Sequence, residues 1–463
     1  MAGAGVLAGI LLAAALAKAG PQGALFPLAL LVCVVLLRFP EACLGLLLFA
    51  TAMAESEAVG AIPAGGAFYD VIAASLTGPD ILILFGLAGV LLRFVARDVR
   101  PRLPEPLTVP LAVLGLAAVA GVATAYTSSA GVSVGDLFHR SVQIGHLIVI
   151  PLLTVNVLRD QRALKIFAAG LAALACLKGV SGLYASFGGF GGSVEEEAAS
   201  FLSPFPNLLM LTFALGVIAA LVRKVEIPAW MYVGMPITLL ALLLSYRRSF
   251  WIAAILTIVL VVIIASRRRG RAVLAIGVAT LALGLFAATS ASDDPSSGTP
   301  SPIAERAQTL TPGGLGSNRG DRYRMDERRN VIENIEDHPV TGVGLGVDWE
   351  VHRPLAEAHD RRYVHFAFLW YWLALGIFGA IAYLLLLGSS LWTSVQVWRR
   401  HPDELIQVCA IAVFGAFVAI GVVELTATFT GVEPRLTILL GALLGWLSAA
   451  WQQLPARRAA ATR

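Results

Sequence analysis

The sequence has few charged residues for its length. Of its 463 residues only 14% are charged and 57% are hydrophobic, whereas soluble proteins carry about 25% charged residues. A chain with so little polar surface is not an ordinary soluble enzyme. Its length would otherwise suggest about three soluble domains, but most of it is predicted to form membrane spans of roughly 20 residues each.

The sequence also lacks a cysteine motif, and its N-terminus does not have the pattern expected of a cleaved leader. No CxxC pair occurs, and all four cysteines lie in apolar segments, at Cys33, Cys43, Cys176 and Cys409. They are therefore expected to be buried free thiols rather than metal ligands or redox centres. Because the N-terminus has no basic n-region, residues 2–19 are interpreted as a first span and not as a cleaved signal.

Apolar segments recur along the whole chain. They cover approximately 2–19, 23–37, 41–54, 80–97, 107–124, 138–158, 163–184, 206–222, 229–244, 250–265, 272–289, 364–390, 405–423 and 436–451. Several are shorter than a full crossing and are expected to bend or to be half-helices, so the count is roughly 12 to 14. The predicted fold is an all-α integral membrane bundle with a large extracytoplasmic loop that contains short helices.

Lysine and arginine are absent from alternate loops. The loops 54–79, 125–134 and 185–203 have neither, while the loops between them are basic. Basic loops stay in the cytoplasm, so this alternation places residues 290–363 outside. The predicted organisation is an N-terminal transmembrane bundle, an outer loop with an arginine helix, C-terminal transmembrane helices and a cytoplasmic tail, at 1–289, 290–363, 364–451 and 452–463.

One short outer loop breaks the charge rule. Residues 245–249 (SYRRS) are predicted to face outward, yet they include Arg247 and Arg248. Either the topology is misassigned, or the pair snorkels to the membrane surface, or the two arginines form an anion site at the outer face. The last interpretation gains from the arginines of the large loop.

The basic stretch 306–329 of the large loop has six arginines and no lysine. Residues 324–337 are predicted to form an amphipathic helix with Val331, Ile332 and Ile335 on one face. Arg324 and Arg328 are four residues apart and share a face, and arginine matches phosphate oxygens bidentately. The alternatives are a solvated face and binding to anionic lipid headgroups.

A glycine run and a histidine follow. The run 342–346 (GVGLG) has no strand–helix unit around it, which argues against a nucleotide loop and favours a tight turn that lets backbone approach the membrane face. His365 lies where the loop re-enters the membrane and is either structural or functional. The other loop histidines, His338, His352 and His359, are predicted to be solvated or turn residues, because no metal-ligand spacing surrounds them.

Five local patterns occur in an order that one family shares. They are an aromatic–Pro–Asn entry to a span at 201–207 (FLSPFPN), the loop 245–249, Arg324, the segment 339–346 (PVTGVGLG), and His365 with Leu369, Gly376 and Gly379. Over about residues 200–390 they resemble the O-antigen ligase and O-antigen polymerase superfamily of bacterial membrane glycosyltransferases. Phe366 stands where the family usually has Asn, and Leu375 where it usually has Glu.

The resemblance implies a ligase-like glycosyltransferase that moves a glycan from undecaprenyl diphosphate to an acceptor hydroxyl, such as that of a lipid A core sugar. It implies no metal and no cofactor, since fixed arginines can stabilise a diphosphate leaving group. His365 and Arg324 are the expected catalytic residues, with His365 as the general base. The diphosphate is expected to bind Arg247, Arg248, Arg324 and Arg328, with support from Asn207, Gly342, Gly344 and Tyr363.

The expected partners are an undecaprenyl-diphosphate-linked glycan donor, a lipid or glycan acceptor and membrane lipids, without nucleic acid. The expected location is the bacterial inner membrane, with the site on the periplasmic face. An O-antigen or exopolysaccharide polymerase and a protein O-oligosaccharyltransferase remain alternatives. So do a structural or sensory protein and a lipid-linked glycan transporter, since Arg140 and Lys178 lie within predicted spans. A transporter would be expected to show repeated halves, and the sequence has no clear internal repeat.

Overall fold

The structure, a computed structural model, describes residues 25–54, 68–70, 76–97, 100–128, 132–184, 204–245, 247–266, 319–355 and 361–455. Within these ranges the helices are α1 Leu25–Arg38, α2 Pro40–Met53, α3 Gly78–Arg97, α4 Thr108–Thr127, α5 Val134–Val157, α6 Gln161–Tyr184, α7 Pro204–Arg223, α8 Ala229–Leu243, α9 Arg248–Ala265, α10 Arg319–Asp337, α11 Ala367–Arg400, α12 Glu404–Val423 and α13 Pro434–Gln452.

This architecture confirms the predicted polytopic all-α membrane fold. Among the described residues, nine helices are long and apolar enough to cross a membrane. Helices α1 and α2 meet at an angle of 106°, and α8 has only 15 residues, as expected of the shorter segments. The predicted segments 2–19 and 272–289, residues 290–318 of the outer loop and residues 456–463 of the tail lie outside the described residues.

Small residues allow the helices at the centre of the bundle to approach closely. Helix α13, almost wholly buried, packs most extensively against α5. A Cβ atom on Gly441 would lie 2.9 Å from Cβ of Ile150, and one on Gly445 would lie 2.4 Å from Cβ of Thr154. Glycine at such contacts is typical of membrane helix packing, where van der Waals contact replaces the hydrophobic effect.

Helix α11 is longer than predicted and is kinked. The sequence predicted a span over 364–390, but the helix continues to Arg400. It breaks at Gly376, whose φ of 70° and ψ of −171° are not helical. Only glycine adopts this conformation without strain, and a Cβ atom there would lie 1.9 Å from the carbonyl oxygen of Val340. The kink thus lets the chain after α10 pack directly against α11.

The cysteines are free thiols, as predicted. Cys43 is buried, and Cys33, Cys176 and Cys409 are partly buried within the bundle. Lys178 is also fully buried in α6, whereas Arg140 lies near the start of α5, where its side chain approaches Gly346 of the glycine run.

Candidate functional site

The site is built on α10, which packs against α11. This helix contains the predicted 324–337 segment but starts five residues earlier, at Arg319. Val331 and Ile335 are buried as predicted, while Ile332 is 37% exposed. Since successive helical residues are rotated by about 100°, Ile332 turns away from the face that Val331 and Ile335 share.

Polar side chains complete the buried face of α10. Asn334 accepts a hydrogen bond from the backbone N–H of Glu350 at 2.8 Å and donates one to its carbonyl oxygen at 2.8 Å. Asn330 accepts from the backbone N–H groups of His352 and Arg353, each at 2.7 Å. The two asparagines thus fix the chain that leads back to the membrane. Their side chains give its backbone groups the hydrogen-bond partners that a helix or sheet would otherwise provide.

Glu327, on the same face, fixes His365. The backbone N–H of His365 donates to Oε2 of Glu327 at 2.8 Å, and Nδ1 of the imidazole lies 3.1 Å from both carboxylate oxygens. The Glu327 side chain is 2% exposed and that of His365 is 22% exposed. Because a carboxylate only accepts hydrogen bonds, Nδ1 is the protonated nitrogen, and Nε2 of a neutral ring keeps its lone pair.

Aromatic rings hold the imidazole from the sides. The ring centroid of Tyr363 lies 4.8 Å from that of His365, and the centroid of Tyr323 lies 5.8 Å away, both edge to face. The hydroxyl of Tyr363 accepts a hydrogen bond from the backbone N–H of Thr428 at 2.9 Å. Burial raises the pKa of Tyr363 to about 12, so its phenol stays neutral at pH 7 and does not act as a base there.

The segment after α12 closes the back of the site. Thr428 donates its hydroxyl to the carbonyl oxygen of Val364. The buried carboxylate of Glu424 accepts from the hydroxyl of Tyr383 at 2.6 Å and from the backbone N–H of Thr430 at 2.6 Å. These bonds occupy Glu424 in holding the 424–430 turn, which in turn positions residues 363–365.

Arginines from two separate segments approach this group. Arg247 precedes α9 as its N-cap residue. Burial lowers the pKa of Arg247, and the acidic groups Tyr363 and Glu433 oppose that shift. The guanidinium of Arg328 lies over the ring of Phe366 at 5.4 Å. Arg328 therefore contacts the residue that follows His365, while Arg247 interacts electrostatically with Tyr363, two residues before His365.

The remaining predicted residues take varied positions. Arg324 is half-buried on α10, one turn before Arg328, and Arg248 is half-buried as the first residue of α9. Asn207 is buried in the first turn of α7. Residues 201–203, Tyr246 and His359 lie outside the described residues, and His338 and His352 are exposed, as predicted.

The glycine run is a wedge between two helices. The backbone N–H of Val343 donates to Leu373 of α11 at 2.7 Å, and that of Leu345 donates to Gly121 of α4 at 3.0 Å. Gly342 and Gly344 have φ values of 67° and 104°. Cβ atoms there would meet the backbone of neighbouring helices, so the run is a close-approach turn, but what it approaches is the backbone of α4 and α11.

Sequence reasoning missed Glu327, Asn330 and Asn334. Their spacing of three and four residues would have placed all three on one face of a helix. The run of arginines in the same segment obscured this pattern. The described residues include no group of three or more His, Cys, Asp or Glu side chains arranged to hold a metal ion.

A family model described as O-antigen ligase matches residues 233–384. This segment, about a third of the chain, is similar to the O-antigen ligase family. The match confirms the predicted resemblance and supports an activity of the O-antigen ligase or polymerase type in a multi-pass membrane protein. It covers the segment from Arg247 through α10 and His365 to the kink at Gly376. A comparison with curated proteins gives no match.

Proposed function

We propose that the protein transfers a glycan from undecaprenyl diphosphate to an acceptor hydroxyl at the outer face of the bacterial inner membrane, in the manner of an O-antigen ligase. The observation that carries this proposal is the buried Glu327 carboxylate on Nδ1 of His365. It gives His365 the tautomer that a general base requires, next to arginines suited to a diphosphate.

The proposed reaction is a single displacement at the anomeric carbon. The acceptor oxygen forms the new glycosidic bond as the bond between that carbon and the diphosphate oxygen breaks. The acceptor proton moves to Nε2 of His365, and Glu327 stabilises the imidazolium that results. The diphosphate leaves with the electron pair of the broken bond.

Arginines stabilise the charge that develops on the leaving group. Arg247 and Arg324 are proposed to grip the diphosphate, with Arg248 and Arg328 as helpers. Fixed guanidinium groups act without reorganisation at the moment of reaction, and their effect increases where water is excluded. Arg247 fits this role because burial already removes part of its hydration. Charge-assisted hydrogen bonds of this kind contribute about 1.5–3 kcal/mol each.

Asn207 and the glycine run are proposed to support the site through its framework. Gly342 and Gly344 set the path of the chain between α10 and α11. Tyr363 orients His365 through its ring and is anchored by Thr428. None of these four residues needs to contact the reacting atoms.

The test is reconstitution of transfer with the purified full-length protein. Undecaprenyl-diphosphate glycan would be supplied with lipid A core, with a second lipid-linked glycan or with a hydroxyl-bearing protein, and the products identified by mass spectrometry. Glycosylated lipid A core, absent with His365→Ala, supports the ligase proposal. A lengthened lipid-linked glycan would make the protein a polymerase, and a glycosylated protein an oligosaccharyltransferase. Movement of the donor across vesicles without any transfer product would favour a transporter.

A further inference from the structure

An apolar cleft lies between membrane helices, away from the site around His365. Its cavity volume is about 120 Å³, so it is a partly open groove and smaller than the closed pockets of about 300–1,000 Å³ that bind whole ligands. The walls come from α6, α7, α12 and α13, with Met231 of α8. Among the lining residues only Lys165 is charged.

The position of the cleft follows from the helix directions. Its lining on α12 runs from Leu405, near the start of that helix, to Val413. His365 lies near the other end of α12. Two residues after it, the backbone N–H of Ala367 donates a hydrogen bond to the carbonyl oxygen of Glu424, which follows the last residue of α12. The cleft therefore lies in the half of the bundle opposite to His365.

The length of the cleft suits one lipid chain. The eight helical steps from Leu405 to Val413 rise roughly 12 Å, slightly less than half of a hydrocarbon core of about 30 Å. The lining along this length is almost wholly aliphatic and aromatic, with Thr212 as a polar exception. A chain lying parallel to the helices would thus be buried within one leaflet.

One cation, Lys165, lies among the residues that line the cleft, and Arg223 lies outside the lining at the same end of the bundle. Nζ of Lys165 lies 2.5 Å from a carboxylate oxygen of Asp403, and an ammonium has three donors in all. The guanidinium of Arg223, at the end of α7, donates to Gln407 at 2.8 Å. This end of the bundle is also the one that the basic loops predict to be cytoplasmic, where anionic lipids attract Lys and Arg.

We propose that this cleft binds an acyl chain of an anionic phospholipid, whose phosphate contacts Lys165 at the rim. The proposal is independent of the transfer reaction, since no cleft residue touches the site around His365. The lipid would fill the space between α6, α7 and α12, and it would couple the packing of these helices to the composition of the membrane.

Photocrosslinking tests the proposal. The full-length protein would be placed in nanodiscs of phosphatidylethanolamine that contain phosphatidylglycerol with a diazirine on one acyl chain. After irradiation, the labelled peptides are identified by mass spectrometry. We expect label on the cleft-lining stretches of α6 and α12, and much less with diazirine-bearing phosphatidylcholine. Lys165→Gln should reduce this preference for the anionic lipid.

A matched pair of substitutions separates the cleft from the general lipid surface. Gly216→Leu projects into the cleft, because a Cβ atom at Gly216 would lie 3.6 Å from Cβ of Ala412. A Cβ atom at Gly170 on α6 would have no neighbouring atom within 4 Å. Gly216→Leu should reduce cleft labelling at least about tenfold, because loss of two buried methylene groups already corresponds to that factor. Gly170→Leu should leave labelling unchanged. Ala169→Leu, at an exposed cleft position, serves as a second filling variant if Gly216→Leu does not fold.

Three results would overturn the proposal. The first is labelling that neither filling variant reduces. The second is equal labelling by phosphatidylcholine and phosphatidylglycerol. The third is displacement of the label by added undecaprenyl diphosphate, which would assign the cleft to the lipid tail of a donor instead.

Discussion

Glu327 holds His365 at two points, by its backbone N–H at 2.8 Å and by Nδ1 at 3.1 Å. The residues lie on different elements, 38 positions apart in the chain. A carboxylate bonded in this way fixes both the rotation of the ring and the position of its proton. The ring that it orients is the proposed general base.

His365→Ala should abolish most of the transfer activity while the protein stays folded. Removal of a general base lowers the rate by about 10²–10⁴-fold. Donor binding should be nearly unchanged, because the arginines remain. The measurement is single-turnover transfer together with donor binding, and His338→Ala, an exposed histidine of the same loop, is the control. Transfer near the wild-type rate in a folded His365→Ala protein would refute the role of base.

Glu327→Gln should reduce kcat and leave the KM for the donor almost unchanged. The amide retains the size of the carboxylate but lacks the charge that stabilises an imidazolium. Loss of the carboxylate from a comparable base lowers kcat by up to about 10⁴-fold, and we expect roughly 10²-fold here. Glu333→Gln is the matched control, since Glu333 lies on the same helix and, among the described residues, its ion pair is with Arg353, at 2.6 Å. An equal effect of both substitutions would indicate that Glu327 has a general structural role.

Arg324→Ala and Arg247→Ala should each reduce turnover by roughly tenfold to a hundredfold, the equivalent of one charge-assisted hydrogen bond. Lysine at either position should restore only part of the rate, because it keeps the charge and loses the planar fork. Arg329→Ala is the control, since Arg329 is exposed and lies 3.9 Å from Asp326. Normal turnover by a folded Arg324→Ala protein would show that this arginine does not bind the diphosphate.

Gly342→Ala should destabilise the protein by about 1–3 kcal/mol. The added Cβ would lie 2.3 Å from the carbonyl oxygen of Leu373 at a φ of 67°, so both strain and a clash result. Thermal unfolding in detergent measures the change as a lower Tm. Gly388→Ala, with no atom within 4 Å of its Cβ position, should have little effect. Equal Tm values for the two variants would contradict the wedge that the glycine run forms.

Ser249→Cys and Ser297→Cys should both react with a membrane-impermeant thiol reagent in intact spheroplasts, in a background without the native cysteines. The absence of Lys and Arg from alternate loops predicts that both positions face outward. Labelling is measured as a shift in mass, and permeabilised cells give the reference for complete reaction. If only one of the two positions reacts, Arg247 and the large loop are on opposite faces, and the shared site fails.

Hydropathy predicted most of the membrane helices because burial in lipid demands long apolar runs. The order of the arginine, glycine and histidine motifs indicated the family that the match to residues 233–384 confirmed. The kink at Gly376 was not predictable, since glycine is frequent in membrane helices and this one is special only because Val340 packs on it. Glu327 was missed for a related reason: its burial depends on contacts with residues far away in sequence, which no local pattern reports.

The contact between α10 and the start of α11 also has a consequence for biogenesis. Membrane helices insert first and associate afterwards, so His365 reaches the bilayer with α11 before α10 has docked. The imidazole can bond to Glu327 only after α10 has folded and Asn330 and Asn334 have formed their hydrogen bonds to residues 350–353. A newly inserted protein would therefore lack the oriented imidazole until that docking is complete.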